Sequence, residues 1–258
     1  MVSEDGNPGA FNVSSLSLSL IVFACIFGGA LFGLTLRKLL PGHHLSNESK
    51  DTVKLSAGLM GTMGALVLGL LVGSAKASYD VKRSEVMELA ANAILLDRVL
   101  HHIGPSAQEA RTTLKHAIGE AISQLWGGGQ IFEGPRPGEQ LYDQIHALSP
   151  ASDGQKASIA EAQSALAALA RTRLLLYSQG ATSIATPLLI VMVFWLSAVF
   201  TSFGLFAPPN LTVVAALMAS ALSVSAAIFL VLEMDRPFAG IIQISSEPLR
   251  AAEMQMGK

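Results

Sequence analysis

The chain has 258 residues, 51% hydrophobic and 14% charged, where an ordinary soluble domain carries about 25% charged residues. A net charge of −2 and a mean hydropathy of +0.48 describe an apolar, mildly acidic chain without the basic footprint of a nucleic-acid binder. Its single cysteine, Cys25, lies in an apolar run, which excludes a disulfide within the chain.

Residues 1–13 form an N-terminal tail carrying Glu4 and Asp5 and no base, unlike the positive n-region of a cleaved signal peptide. From Ser14 to Leu36 no residue is charged. A bilayer core about 30 Å thick needs roughly 20 apolar residues in helix, so 14–36 is predicted as span one. Arg37, Lys38, Lys50 and Lys54 then crowd a short loop, 37–54. The next uncharged run ends at Lys76, and span two is predicted over 55–76.

Within span two, Ala57, Gly61, Ala65, Gly69, Gly73 and Ala77 follow one another at intervals of four, with Gly58 and Gly64 beside them. That spacing reads as one bare helix face. In lipid, helices associate by close approach over small residues, so the stripe is expected to pack tightly or to line a pore.

Residues 77–183 alternate polar and apolar positions and are expected to form an all-α domain outside the bilayer. Val86, Leu89, Ala93, Leu96, Leu100 and Ile103 make one apolar stripe, which Gly104-Pro105 ends. Ser106 and Glu109 match a capping box for a following helix that reaches Trp126. The glycine-rich stretch 127–138 reads as a loop, and a short helix is expected over 141–148. The last helix starts near Asp153, buries Ile159, Ala162, Leu166, Leu169 and Leu176, and is expected to continue into span three, as the domain's first helix continues span two.

The apolar run up to Leu232 is too long for one span, and Pro208-Pro209-Asn210 breaks it. This gives span three at 184–206, a turn at 207–210, span four at 211–232 and a C-terminal tail, 233–258. Pro187 falls early in span three, where a kink is expected. The fold class is therefore all-α, with four transmembrane helices and a helical domain inserted between spans two and three. The lipid bilayer is the first partner this implies.

No Asp, Glu, Lys, Arg or His lies well inside a span, which disfavours proton-coupled or voltage-gated machinery. Lys76, Asp80, Glu233, Asp235 and Arg236 gather where spans two and four end, and read either as snorkelling interfacial charges or as an electrostatic latch. Histidines 43, 44, 101, 102, 116 and 146 lack metal-ligand spacing, so surface roles without a metal are expected. The sequence holds no phosphate loop, nucleophile elbow or HExxH motif. A non-enzymatic protein without cofactors is expected. The bases of loop 37–54 argue for a cytoplasmic loop, whereas Lys76, Lys82, Arg83, Arg171, Arg173 and Arg236 argue for the opposite face. The second set tips the expectation towards a cytoplasmic domain, with both termini on its side.

Several stretches are similar to a bacterial membrane family described as bestrophin-like. They are Leu40-Pro41 with His44, Leu68-Gly69-Leu70, the run from Ser74 to Asp80, Leu96-Asp97-Arg98 with Gly104-Pro105, and Asp235-Arg236-Pro237-Phe238-Ala239-Gly240. The resemblance implies a four-span protein of the bacterial inner membrane. It also implies kinship with bestrophin anion channels, oligomers whose pore is lined by the span-two helix. Span two here has no aromatic residue matching the neck of those channels. An oligomeric, channel-like protein is the first expectation; a non-conducting scaffold or signalling protein acting through the helical domain is the second.

Overall fold

The computed structural model describes residues 14–40, 47–127, 137–178 and 186–256, and all of the regular structure among them is helical. The helices are α1 (Ser15–Leu39), α2 (Asn47–Ile103), α3 (Gln108–Trp126), α4 (Pro137–His146), α5 (Asp153–Ser178), α6 (Thr186–Phe206), α7 (Leu211–Met234) and α8 (Glu247–Gln255). Four of them, α1, α2, α6 and α7, are long and apolar enough to cross a membrane. The chain divides into two compact units, one of residues 1–76 with 183–235, the other of 77–182 with 236–258.

In the first unit, α1 starts where Ser14 Oγ accepts from the Ser17 amide at 3.2 Å, satisfying an amide that the helix leaves open. Its buried face, with Val22, Ile26 and Ala30, meets Leu189, Met192, Leu196 and Phe200 of α6 and Ala221, Ile228 and Val231 of α7 in one apolar core. The approach to α6 is very close. A side-chain carbon added at Gly33 would overlap the Thr201 carbonyl, and one added at Gly204 would overlap the Ala30 carbonyl. At Gly29 it would lie 2.9 Å from the Ser197 carbonyl. Only glycine permits backbones to meet at this separation, as in small-residue contacts between membrane helices. The turn from α6 to α7 ends at Asn210, whose Oδ1 accepts from the Val213 amide at 2.8 Å. Pro187 is the second residue of α6, in the first turn, where its missing N–H breaks no intrahelical bond.

α2 is a single helix of 57 residues running through both units. The expected continuity of span two with the next helix is thus present. The continuity of α5 with span three falls on residues 179–185, outside the described residues, as does loop 128–136.

The second unit has its own core, in which every position of the predicted stripe from Val86 to Ile103 is buried, as are Ile159, Ala162, Leu166, Leu169 and Leu176. Gly104, at φ +100°, ends α2 in a conformation that costs glycine little. Gln155 Nε2 then donates to the Ile103 carbonyl at 2.9 Å, satisfying one of the acceptors at that helix end.

The capping box at Ser106 and Glu109 does not form. Residues Pro105–Ala107 are a 3₁₀ turn that passes directly into α3, so Ser106 already sits inside a helical turn, and the residue before α3 is Ala107, without a side-chain cap. Ser152 caps α5 instead, its Oγ accepting from the Gln155 amide at 3.2 Å. α4 begins at Pro137, four residues before the expected 141, because a proline in the first turn needs no amide partner. The C-terminal tail, 233–258, carried no predicted element. Residues 236–256 form a turn and α8, whose Leu249 and Ala252 are fully buried, with Met256 beside them in the core.

Candidate functional site

Six small residues at intervals of four do not share one face along their whole length. Each step of four advances about 400° at 3.6 residues per turn, so the row drifts about 40° per step and sweeps roughly 200° from first to last. Burial follows that drift. Ala57 is buried, Gly61 is half-buried, and Ala65, Gly69, Gly73 and Ala77 are exposed in the single chain. The face of α2 that packs into the first unit is instead Ala57, Gly64, Leu71 and Ala75, at spacings of seven and four. Side-chain carbons added at Gly58, Gly61, Gly69 or Gly73 would meet nothing within 4 Å. Among the described residues, the tight seam of small residues is the one between α1 and α6.

Of the predicted charge cluster, Lys76, Glu233 and Asp235 belong to the first unit and Asp80 and Arg236 to the second. Glu233 is 3% exposed at the end of α7, while Lys76, Asp80 and Arg236 are exposed. His101, His102, His116 and His146 are exposed, and His43 and His44 lie outside the described residues. Among the described residues no three of His, Cys, Asp and Glu come together to hold a metal ion.

The second unit holds a polar arrangement that sequence reading did not assemble. Arg111 on α3 grips Asp97 on α2 with both ends of its guanidinium edge, Nε to Oδ1 at 2.9 Å and Nη2 to Oδ2 at 3.1 Å. The remaining Nη1 lies 3.3 Å from His101 Nδ1. The hydrogen bond to Asp97 holds Arg111 above the usual arginine basicity, with burial opposing it and the Asp97 charge adding to it. Such two-point pairing fixes orientation as well as charge. The signal was present in the numbering, since Asp97 and Arg111 each stand seven residues from Gly104, where the helical hairpin turns.

The second missed feature is the seat of the C-terminal segment. Pro237 and Ile244 close a loop through the Ile244 amide, 2.8 Å from the Pro237 carbonyl. Phe238 meets Trp126 edge to face at 5.2 Å, and Trp126 Nε1 donates to the Ile244 carbonyl at 2.8 Å. Lys115 Nζ donates to the Met256 carbonyl at 3.2 Å, just past the end of α8.

A family model for the bestrophin-like domain matches residues 24–249. The chain belongs to the bestrophin-like family. Two solved structures carry the same fold as this bestrophin-like chain. One is a crystal structure of a mutant bacterial bestrophin homologue from Klebsiella pneumoniae, at a TM-score of 0.71 and 12% identity, covering 93% of this chain and 98% of that one. The other is a crystal structure of a mutant membrane protein, at a TM-score of 0.70 and 12% identity, covering 93% and 97%. No curated protein sequence matches. Two of the stretches that carried the family resemblance have structural roles here. Leu96-Asp97-Arg98 supplies the acid that Arg111 grips, and the run ending at Gly240 supplies the Phe238 that meets Trp126. Pro41 and His44, from a third, lie outside the described residues.

Proposed function

We propose that this bestrophin-like chain assembles as a homo-oligomer in the bacterial inner membrane and conducts ions along a path lined by α2. The observation that carries the reading is the open side of α2. Gly69 and Gly73 face free space, and Leu66 and Leu70 beside them are each 66% exposed. A helix that uses only one face for its own fold has a second face available for copies of itself or for a lumen. Spans without internal charge suit a passive pore better than a coupled transporter. The second unit and both termini are assigned to the cytoplasm, and Lys76, Glu233 and Asp235 of the first unit to a band of charge at the membrane face.

The test is ion flux from liposomes containing the purified protein. Leak of chloride or a small cation above that of protein-free vesicles is expected. Correct insertion without leak of either would overturn conduction. A scaffold acting through the second unit is supported by that unit's self-contained core. It predicts a crosslinked protein partner that is lost when residues 84–180 are deleted.

A further inference from the structure

Between α2, α6 and α7 of the first unit lies an apolar groove of about 380 Å³. Its floor is the glycine surface of α2 at Gly58, Gly61 and Gly64, and its walls include Phe200 and Phe203 of α6 and Val224 of α7. Along α2 it extends from Ala57 to Leu68, a rise of about 16 Å at 1.5 Å per residue. That is about half the hydrocarbon thickness of a bilayer, or the depth of one leaflet.

The groove's mouth is basic. Lys50, Lys54, Gly58, Gly61, Ala65 and Leu68 follow at steps of four and three, so both lysines stand on the groove's own face, above its outer end. α1 ends beside the same mouth with Arg37 and Lys38. Arg37 Nη1 donates to the Ala207 carbonyl, one turn beyond Phe203. Glu48 and Asp51 are the acids of these turns, which leaves base in excess.

We propose that this groove holds one acyl chain of an anionic phospholipid whose phosphate rests on Lys50 and Lys54. Water gains nothing from an apolar trough at membrane depth, whereas an acyl chain is the solvent there and fits its length. In lipid, apolar burial supplies little net drive, so affinity comes from the headgroup, at about fivefold per lysine or arginine near an anionic surface. The groove then orders the chain, and the lysines select the lipid. This inference does not depend on conduction.

The experiment is native mass spectrometry of the full-length protein in detergent, titrated with phosphatidylglycerol or phosphatidylcholine of identical acyl chains. One phosphatidylglycerol retained per protomer is expected, with phosphatidylcholine at least tenfold weaker. The pair Lys50→Gln and Lys54→Gln is expected to weaken phosphatidylglycerol about 25-fold, at fivefold per charge. Gly61→Leu, which has open space to enter, is expected to expel the lipid without changing the oligomeric mass. Equal retention of the two lipids, or retention untouched by the lysine pair, would overturn the proposal whether or not Gly61→Leu folds. Dissociation of an oligomer by Gly61→Leu with lipid still bound would assign the groove to a second copy and overturn it equally.

Discussion

Glycines in this chain do opposite things according to what faces them. Gly33 and Gly204 let the backbones of α1 and α6 come together where any side-chain carbon would strike a carbonyl, whereas Gly69 and Gly73 face open space. Alanine at position 33 therefore forces two packed helices apart, an overpacking cost of about 1–3 kcal/mol. Alanine at position 73 meets nothing and improves helix propensity by about 0.5–1 kcal/mol. Thermal unfolding in detergent should place Gly33→Ala clearly below the parent protein and Gly73→Ala level with it or above. A loss of stability in Gly73→Ala as large as that in Gly33→Ala would mean that the open face of α2 is covered by another surface in the detergent-solubilised protein. The sequence alone ranks these glycines the other way round. The row at 57–77 is longer and more regular than Gly29 and Gly33, but regularity at four residues is a winding path on a 3.6-residue helix.

Among the elements, α8 decides how the second unit is finished. Leu249 is fully buried against that unit's core, while Met254 on the same helix is 68% exposed. Leu249→Ala is expected to cost about 2–5 kcal/mol, the range for opening a cavity in a packed core. Met254→Ala should stay within about 0.5 kcal/mol of the parent. Denaturant melts in detergent, followed by the fluorescence of Trp126, read the difference directly because that indole bonds to the Ile244 carbonyl of the same segment. Equal effects of the two substitutions would mean that α8 is not seated in the core. This helix was the least legible element of the fold. It spans nine residues, interleaves four polar ones with its apolar ones, and follows a proline-containing turn, so it offers no long apolar run and too few positions for periodicity to show. The membrane helices were legible because a bilayer demands length and apolarity, both of which can be counted in sequence. The stripe from Val86 to Ile103 was legible because a two-sided environment imposes its period. The Ser106 cap failed because a cap depends on backbone angles, and the proline before it set those angles to a 3₁₀ turn. The ion pair between Asp97 and Arg111 needed the hairpin's register, which only the position of Gly104 could have supplied.

For the whole molecule, what matters is what the exposed side of α2 meets in the membrane, since the same face suits a lumen, a neighbouring copy or lipid. Substituted cysteines separate these cases, because Cys25 is the chain's one native thiol and Cys25→Ser gives a blank background. In that background Gly69→Cys and Gly73→Cys place a thiol where nothing blocks it. Phe194→Cys on α6 and Leu222→Cys on α7, at sites 69% and 60% exposed, serve as controls on spans not assigned to the lumen. A charged, water-soluble methanethiosulfonate reaches a thiol only through water, since the hydrocarbon region excludes it. If α2 lines a conducting path, the reagent should react at positions 69 and 73 and change liposome flux at least severalfold, while positions 194 and 222 stay unmodified. Modification at neither pair would put the open face of α2 against protein or lipid and remove the lumen from the reading. Reaction at 69 and 73 without any change in flux would leave a hydrated crevice rather than a pore. A cleft of that kind suits a scaffold, whose second unit would then carry the function.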